Sequence, residues 1–210
     1  MPRTLPEPPA PEGVVSCADV EAALRQNSPV RFVSWNFAGV ELNGLDLHGC
    51  EFSRCRGGRA DFTSCDLAES RFSGCDLNNS QWRGALLSGA RFEDCKLTGA
   101  DLAEARGVGA AFTCCLLVSA QMRKMSFRRM ALDGNDFHGA DLRMADFREA
   151  VMTGCSLREA NLADARFEDA DLRGADLGAI KLADATKFKG AIISRQQAGA
   201  LLSGLGLKVV

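Results

Sequence analysis

From residue 30 to residue 186 the chain sets a large apolar residue at every fifth position, from Phe32, Phe37, Leu42 and Leu47 through to Leu172, Leu177 and Leu182. Only Gly57 and Gly107 leave that position without a side chain. Two residues before each of these centres the residue is nearly always small, as at Cys50, Ala60, Cys65, Ser70, Ala100, Ala140, Ala160 and Ala170. The residue between is most often polar, as at Asp61, Asp66, Asp101, Asp141, Asn161 and Asp171. A period of five fits neither the 3.6-residue turn of a helix nor the alternation of an ordinary strand. It predicts a solenoid, in which each short repeat buries its apolar residue only against its neighbours.

A second period is written over the first. Cys55, Cys75, Cys95 and Cys115 stand twenty residues apart, and the column resumes at Cys155 after Asn135; Phe32, Phe52, Phe72, Phe92 and Phe112 make a parallel series. Like residues stack when they lie one coil apart, so four repeats make one coil. With coils spaced like paired strands at about 4.8 Å, the repeats predict about eight coils and a rod of roughly 35 to 40 Å.

The small-polar-large pattern resembles the pentapeptide-repeat family, whose consensus is Ala-Asp/Asn-Leu followed by two variable residues. The resemblance covers about three quarters of the chain. It implies an all-β fold, a right-handed quadrilateral parallel β-helix, with one repeat on each side of the square.

The flanks read differently. Residues 1–12, MPRTLPEPPAPE, hold five prolines and little to bury, which predicts a disordered arm. Ser16 is placed to cap a helix from about Cys17 to Gln26, so that 13–29 would close the first coil. Val30, Trp35, Val40 and Leu45, large where later repeats are small, would pack beneath it. After Phe188, Ser194 and Gln197 form a capping-box pattern for a helix to about Ser203, and Leu207 to Val210 reads as a short strand. Residues 187–210 are therefore expected to close the other end. Ile192, Ile193, Leu201, Leu202, Leu205, Leu207 and Val209 offer more apolar surface than one coil requires, which predicts a two-fold homodimer through this segment.

Composition narrows the chemistry. A net charge of -2 marks neither a strongly basic nucleic-acid binder nor an extreme acidic mimic, and direct nucleic-acid binding is disfavoured. No apolar run reaches the length of a membrane span and no secretory leader pattern is present, so the expected location is cytoplasmic. Seven of the nine cysteines take the small inward position, where a thiol packs as a compact hydrophobe; Cys17 and Cys114 do not, and Cys114 should be exposed. A ladder of thiols pointing one way suits neither a disulfide nor tetrahedral zinc, and no metal or cofactor is expected. No phosphate-binding glycine loop, zinc-protease helix or nucleophile elbow occurs, and His48 and His138 fall on different faces. An enzyme is the least favoured class.

Three surfaces remain as candidates. Asp61, Asp101 and Asp141 recur at one position on one face. Arg123, Lys124, Arg128, Arg129, Arg143 and Arg148 cluster on two adjacent faces beside Met125 and Met130, which are large where Ala or Cys is usual and should distort the coil locally. Val108, Ala111, Leu116 and Val118 point outward although apolar. Within the family, the uninterrupted rod with a C-terminal helix resembles the Qnr-type quinolone-resistance and mycobacterial MfpA group. That resemblance implies an end-to-end dimer that binds DNA gyrase, or topoisomerase IV, as a mimic of duplex DNA, with the three aspartates as phosphate stand-ins. Counted along the whole rod, acids to bases on the four faces stand at 5:5, 4:4, 7:5 and 7:5, which makes no face a plain phosphate track. A general protein-interaction scaffold, or an anion or nucleic-acid binder acting through the cluster near Arg128, are the alternative readings.

Overall fold

The computed structural model describes residues 4–178, 182–204 and 206–208. Five short strands, β1 (Arg31–Val33), β2 (Glu51–Ser53), β3 (Arg71–Ser73), β4 (Arg91–Glu93) and β5 (Ala111–Thr113), lie side by side in parallel. Their register is twenty residues, with Phe32 beside Phe52, Phe52 beside Phe72, Phe72 beside Phe92 and Phe92 beside Phe112. The other three faces repeat this as columns of parallel bridges: Asn36 to Arg56 to Asp76, Glu41 to Asp61 to Gln81, and Asp46 to Asp66 to Leu86. The chain is thus a four-sided parallel β-solenoid. In chain order, faces one to four are those that begin at Arg31, Asn36, Glu41 and Asp46.

The recurring aspartate has a local cause. Each corner needs a residue in the left-handed region, as at Arg54 (φ 52) and Ser64 (φ 59). A carboxylate just before the centre holds that corner by accepting the N–H two residues on, as Asp61 Oδ1 does from Thr63 (2.8 Å) and Asp101 Oδ1 from Ala103 (3.0 Å).

Inside, the centres form ring stacks. Phe72 lies between Phe52 at 4.4 Å and Phe92 at 4.8 Å, and Trp82 lies 4.3 Å from Phe62. The Trp82 indole N–H donates to the Ser80 hydroxyl, which donates to the Leu77 carbonyl, so a buried polar group stays satisfied. The inward thiols have partners too. Cys55, Cys75, Cys95 and Cys115 donate to the carbonyls of Phe32, Phe52, Phe72 and Phe92 at 3.3 to 3.4 Å. Asn135, which interrupts that column, does the same job: its amide donates to Phe112 O (2.8 Å), and its oxygen accepts the Cys115 N–H (2.9 Å).

The N-terminal end is closed by more than a helix. Helix α1 (Cys17–Gln26) carries the expected Ser16 cap, completed into a capping box by Asp19, and buries Val20 and Ala23. Residues 4–12, expected as a disordered arm, instead lie along the first coil. Pro6 O accepts the Arg31 N–H (2.8 Å), Pro8 O accepts the Trp35 indole N–H (3.3 Å), and Glu7 pairs with Arg31 (2.9 Å). Proline-rich chain is already extended, and here it satisfies strand groups that the first coil would leave open.

At the other end the repeat stops sooner than its sequence pattern. A 3-10 helix spans Leu182–Phe188, where the pattern runs on to 186. The next centre would have been Lys187, which a core cannot take; Phe188 stacks on Phe167 instead (4.9 Å). Ile192 then exchanges backbone bonds with Ala170 and Leu172, and helix α2 (Arg195–Gly204) follows with the expected Ser194 and Gln197 capping box. Gln197 also caps the last coil by donating to the carbonyls of Leu172 (2.7 Å) and Ala175 (2.8 Å). Leu207 and Lys208 are not in a strand, and Val209 and Val210 lie outside the described residues.

Two bridge columns are interrupted at one level. Face four runs from Asp46 to Arg106 and resumes at Ser126; face one runs to Ala111 and resumes at Ala131. Faces two and three run on through Leu116 to Asp136 and through Gln121 to Asp141. Between Leu102 and Cys114 no described backbone N–H reaches the following coil.

Candidate partner-binding surface

The structure puts Asp61, Asp101 and Asp141 on face three, in line but not adjacent, because Gln81 and Gln121 alternate with them. Their environments differ. Asp101 pairs with Arg83 (3.3 Å). Asp141 is buried and gripped by Arg143 (2.8 Å) and Arg123 (2.6 Å), and those guanidinium hydrogen bonds hold its carboxyl down at about 2. Asp61 is half-exposed and makes no ion pair among the described residues. Of the three, only Asp61 presents uncompensated charge.

The basic cluster is brought together as its spacing implied, and neutralised in the same step. Arg123 and Arg143 hold Asp141, Arg148 holds Asp146 (2.5 Å), and Arg128 (2.8 Å) and Arg129 (2.7 Å) share Glu149. The two arginines hold the Glu149 carboxyl at about 2. Among the described residues Lys124 alone of the six has no carboxylate partner. The outward apolar residues do not form one patch: Val108, 82% exposed, is on face four, Ala111 on face one, and Leu116 and Val118 on face two.

The balanced totals on each face hide a polarity of charge along the axis. Faces three and four carry Glu41, Asp46, Asp61, Asp66 and Glu69 before the first cation, Arg83. Glu41 bridges directly to Asp61, and Asp46 to Asp66, so like charges face each other across two ladders about 4.8 Å apart. Faces one and two of the same region carry Arg31, Arg54, Arg56, Arg59 and Arg71 against Glu51 and Asp76, and of these only Arg31 and Glu51 are ion-paired. The acids were missed because they occupy ordinary repeat positions. The signal that would have found them is the absence of any Lys or Arg at outward positions of these two faces over 41–49 and 61–69.

Elsewhere the described residues offer little for chemistry. Burial pushes the thiols of Cys50, Cys65 and Cys155 up to about 11, which suppresses the reactive thiolate. Cys114 is the exposed thiol, as expected, and Cys17 is half-buried. No described helix is long and apolar enough to cross a membrane. At the C-terminal end Ile192, Leu202 and Leu207 are exposed, whereas Ile193 and Leu201 pack on the core; Leu205 and Val209 lie outside the described residues.

Comparison with known proteins agrees with the geometry. A pentapeptide repeat region model matches residues 28–102, and the pentapeptide repeats model matches 85–120, 110–154 and 144–178. A search of curated proteins found no match. Among solved structures, QnrB1, described as a plasmid-mediated fluoroquinolone resistance protein, superposes in three forms. One trypsin-treated variant gives a TM-score of 0.76 at 24% identity, covering 86% of this chain and 90% of that one. A second trypsin-treated variant gives 0.66 at 22% identity, covering 97% and 95%, and the full-length protein gives 0.66 at 23%, covering 85% and 88%.

Proposed function

The chain belongs to the pentapeptide-repeat family, and from that premise we propose that it is a non-enzymatic, cytoplasmic binding rod that takes the place of duplex DNA on DNA gyrase or a related topoisomerase and so alters quinolone sensitivity. The observation that carries this reading is the pair of like-charge ladders, Glu41 over Asp61 and Asp46 over Asp66. Like charges directly opposite one another weaken a sheet. Asp101, Asp141, Asp146 and Glu149 further along the same two faces are held by arginines, whereas the four ladder residues and Glu69 stand in a stretch of those faces without Lys or Arg and are left to a cationic partner surface. The rod shared with a fluoroquinolone resistance protein supports the same choice of partner. The contact we propose therefore keeps Asp61 and replaces Asp101 and Asp141, whose charge is spent on arginines, with Glu41, Asp46 and Asp66.

A supercoiling assay with and without a quinolone tests this. The quadruple variant Glu41→Gln, Asp46→Asn, Asp61→Asn, Asp66→Asn should lose its effect on gyrase and keep or gain thermal stability, whereas Asp141→Asn should retain the effect. Unchanged activity of the quadruple variant would favour a scaffold acting through another surface.

The same reading includes a homodimer. Ile192, Leu202 and Leu207 leave apolar surface at the C-terminal end, and a two-fold contact covers such a patch with a copy of itself. Leu202→Glu with Leu207→Glu should give a monomer by light scattering; a wild-type monomer at micromolar concentration would count against the dimer.

A further inference from the structure

The interruption on faces four and one is a single continuous stretch of chain. Residues 104–113 face residues 124–132 across it, and the amides of Glu104, Gly107, Gly109 and Phe112 on one side, and of Ser126 and Ala131 on the other, have no backbone partner among the described residues. Its cause lies in three residues. Without a side chain at Gly107 the backbone sinks inward, so that a Cβ there would lie 3.1 Å from Ala110 Cβ and 3.3 Å from Leu87 Cβ. In the next winding Met125 and Met130 occupy the inward position that Ala or Cys fills elsewhere; Met125 is buried, and Met130 packs against the core half-exposed. One winding is drawn down and the next is propped up, and the ladder between them opens. Faces two and three stay closed, with Leu102 to Gln121 at 2.8 Å and Leu117 to Asp136 at 2.8 Å.

We propose that this seam is a hinge: the coils before it and the coils after it pivot as two blocks about faces two and three, opening along faces four and one. The geometry suits such a motion. The strand groups that would resist opening are already unpaired on two adjacent faces, and the thioether side chains in the gap repack at little cost. Asn135, bonded to both Phe112 and Cys115, ties the seam where face one meets face two and marks where the opening ends. The acidic ladders lie in the first block and the C-terminal end in the second, so the pivot sets the angle between them. A rod that docks along its side can then follow a partner that is not straight.

Two measurements on the intact protein test the hinge. Amide exchange by NMR should find Gly107, Gly109, Phe112, Ser126 and Ala131 exchanging on the order of 100-fold faster than Leu87, Gly89, Phe92, Arg106 and Ala111, their counterparts one coil earlier. Spin labels should then separate motion from a fixed gap. In a Cys17→Ser, Cys114→Ser background, labels at Ser53→Cys and Thr153→Cys span five coils on face one, roughly 24 Å. Thr63→Cys and Ala163→Cys span the same number on face three. The face-one pair should give the broader distance distribution. Equal protection at the two levels would overturn the seam, and equal widths for the two label pairs would overturn the hinge.

Discussion

Gly57 and Gly107 are the same lesion in the repeat, a missing centre side chain, and the rod answers them in opposite ways. At Gly57 the ladder is unbroken: its N–H donates to Asp76 O at 2.6 Å, and Leu77 from the next coil reaches into the space, its Cδ2 within 2.9 Å of where a Cβ would sit. At Gly107 the chain is drawn towards Leu87 and the following coil separates from it. A glycine alone therefore does not open this fold. What differs is the residue one coil on and its neighbours. Leu77 is flanked by small inward residues, Cys75 and Ser80, and is free to lean; Phe127 is flanked by Met125 and Met130, which hold the winding away. Coil-to-coil pairing is a local balance between the reach of one side chain and the bulk of the next.

The sharpest way to break this comparison is to delete a ring on either side of it. Phe72→Ala, between two parallel rings, should cost about 3 to 5 kcal/mol in urea unfolding. Phe127→Ala, stacked on one side by Phe147 at 4.9 Å and meeting Phe112 across the seam only edge-on at 6.1 Å, should cost roughly 1 kcal/mol less, because the surroundings can relax into the gap. Equal losses would mean that the seam is as tightly packed as the rest of the rod. Next in size is the Asn135 tie. Asn135→Ala strands the Phe112 carbonyl and the Cys115 N–H and should cost about 1 to 3 kcal/mol. Asn135→Cys restores the thiol column and should recover part of that loss.

A smaller effect separates the second block by pH. The Asp141 carboxyl sits at about 2 rather than 3.8 because Arg143 and Arg123 bind its charged form. The stability it contributes is therefore present above the unfolded value and is lost as pH falls through the folded value. Wild type should exceed Asp141→Asn in stability at pH 6, and the difference should shrink between about pH 4 and pH 2. A difference independent of pH would mean that the ion pairs are not its source. Smallest of all, Gly57→Ala should change stability by less than about 1 kcal/mol, since only the flexible end of Leu77 must give way and the unfolded chain loses freedom. Thiol labelling supplies the control for all of these: native protein should label at Cys114 and slowly at Cys17, while Cys75 and Cys95 stay protected until unfolding.

The five-residue period by itself determined the solenoid, and the twenty-residue period determined its four sides. Coils that keep the pattern make the same contacts with their neighbours, so one repeat read correctly gives most of them. The caps at Ser16 and Ser194 were legible for the same reason: each is a hydrogen bond between residues three apart. What the tertiary structure alone decided are contacts between residues far apart in the chain that obey no repeat. Arg123, Arg128 and Arg129, which look like part of a free cluster in sequence, are spent on carboxylates 18 to 21 residues away. The proline-rich arm docks because the first coil has open strand groups to offer it. The acidic ladders become a surface only when coils are stacked and the cations elsewhere are accounted for. The seam forms only where Gly107, Met125 and Met130 meet across two windings. Periodicity fixes what is common to all coils, whereas charge compensation and misfit depend on which particular residues the twenty-residue step sets side by side.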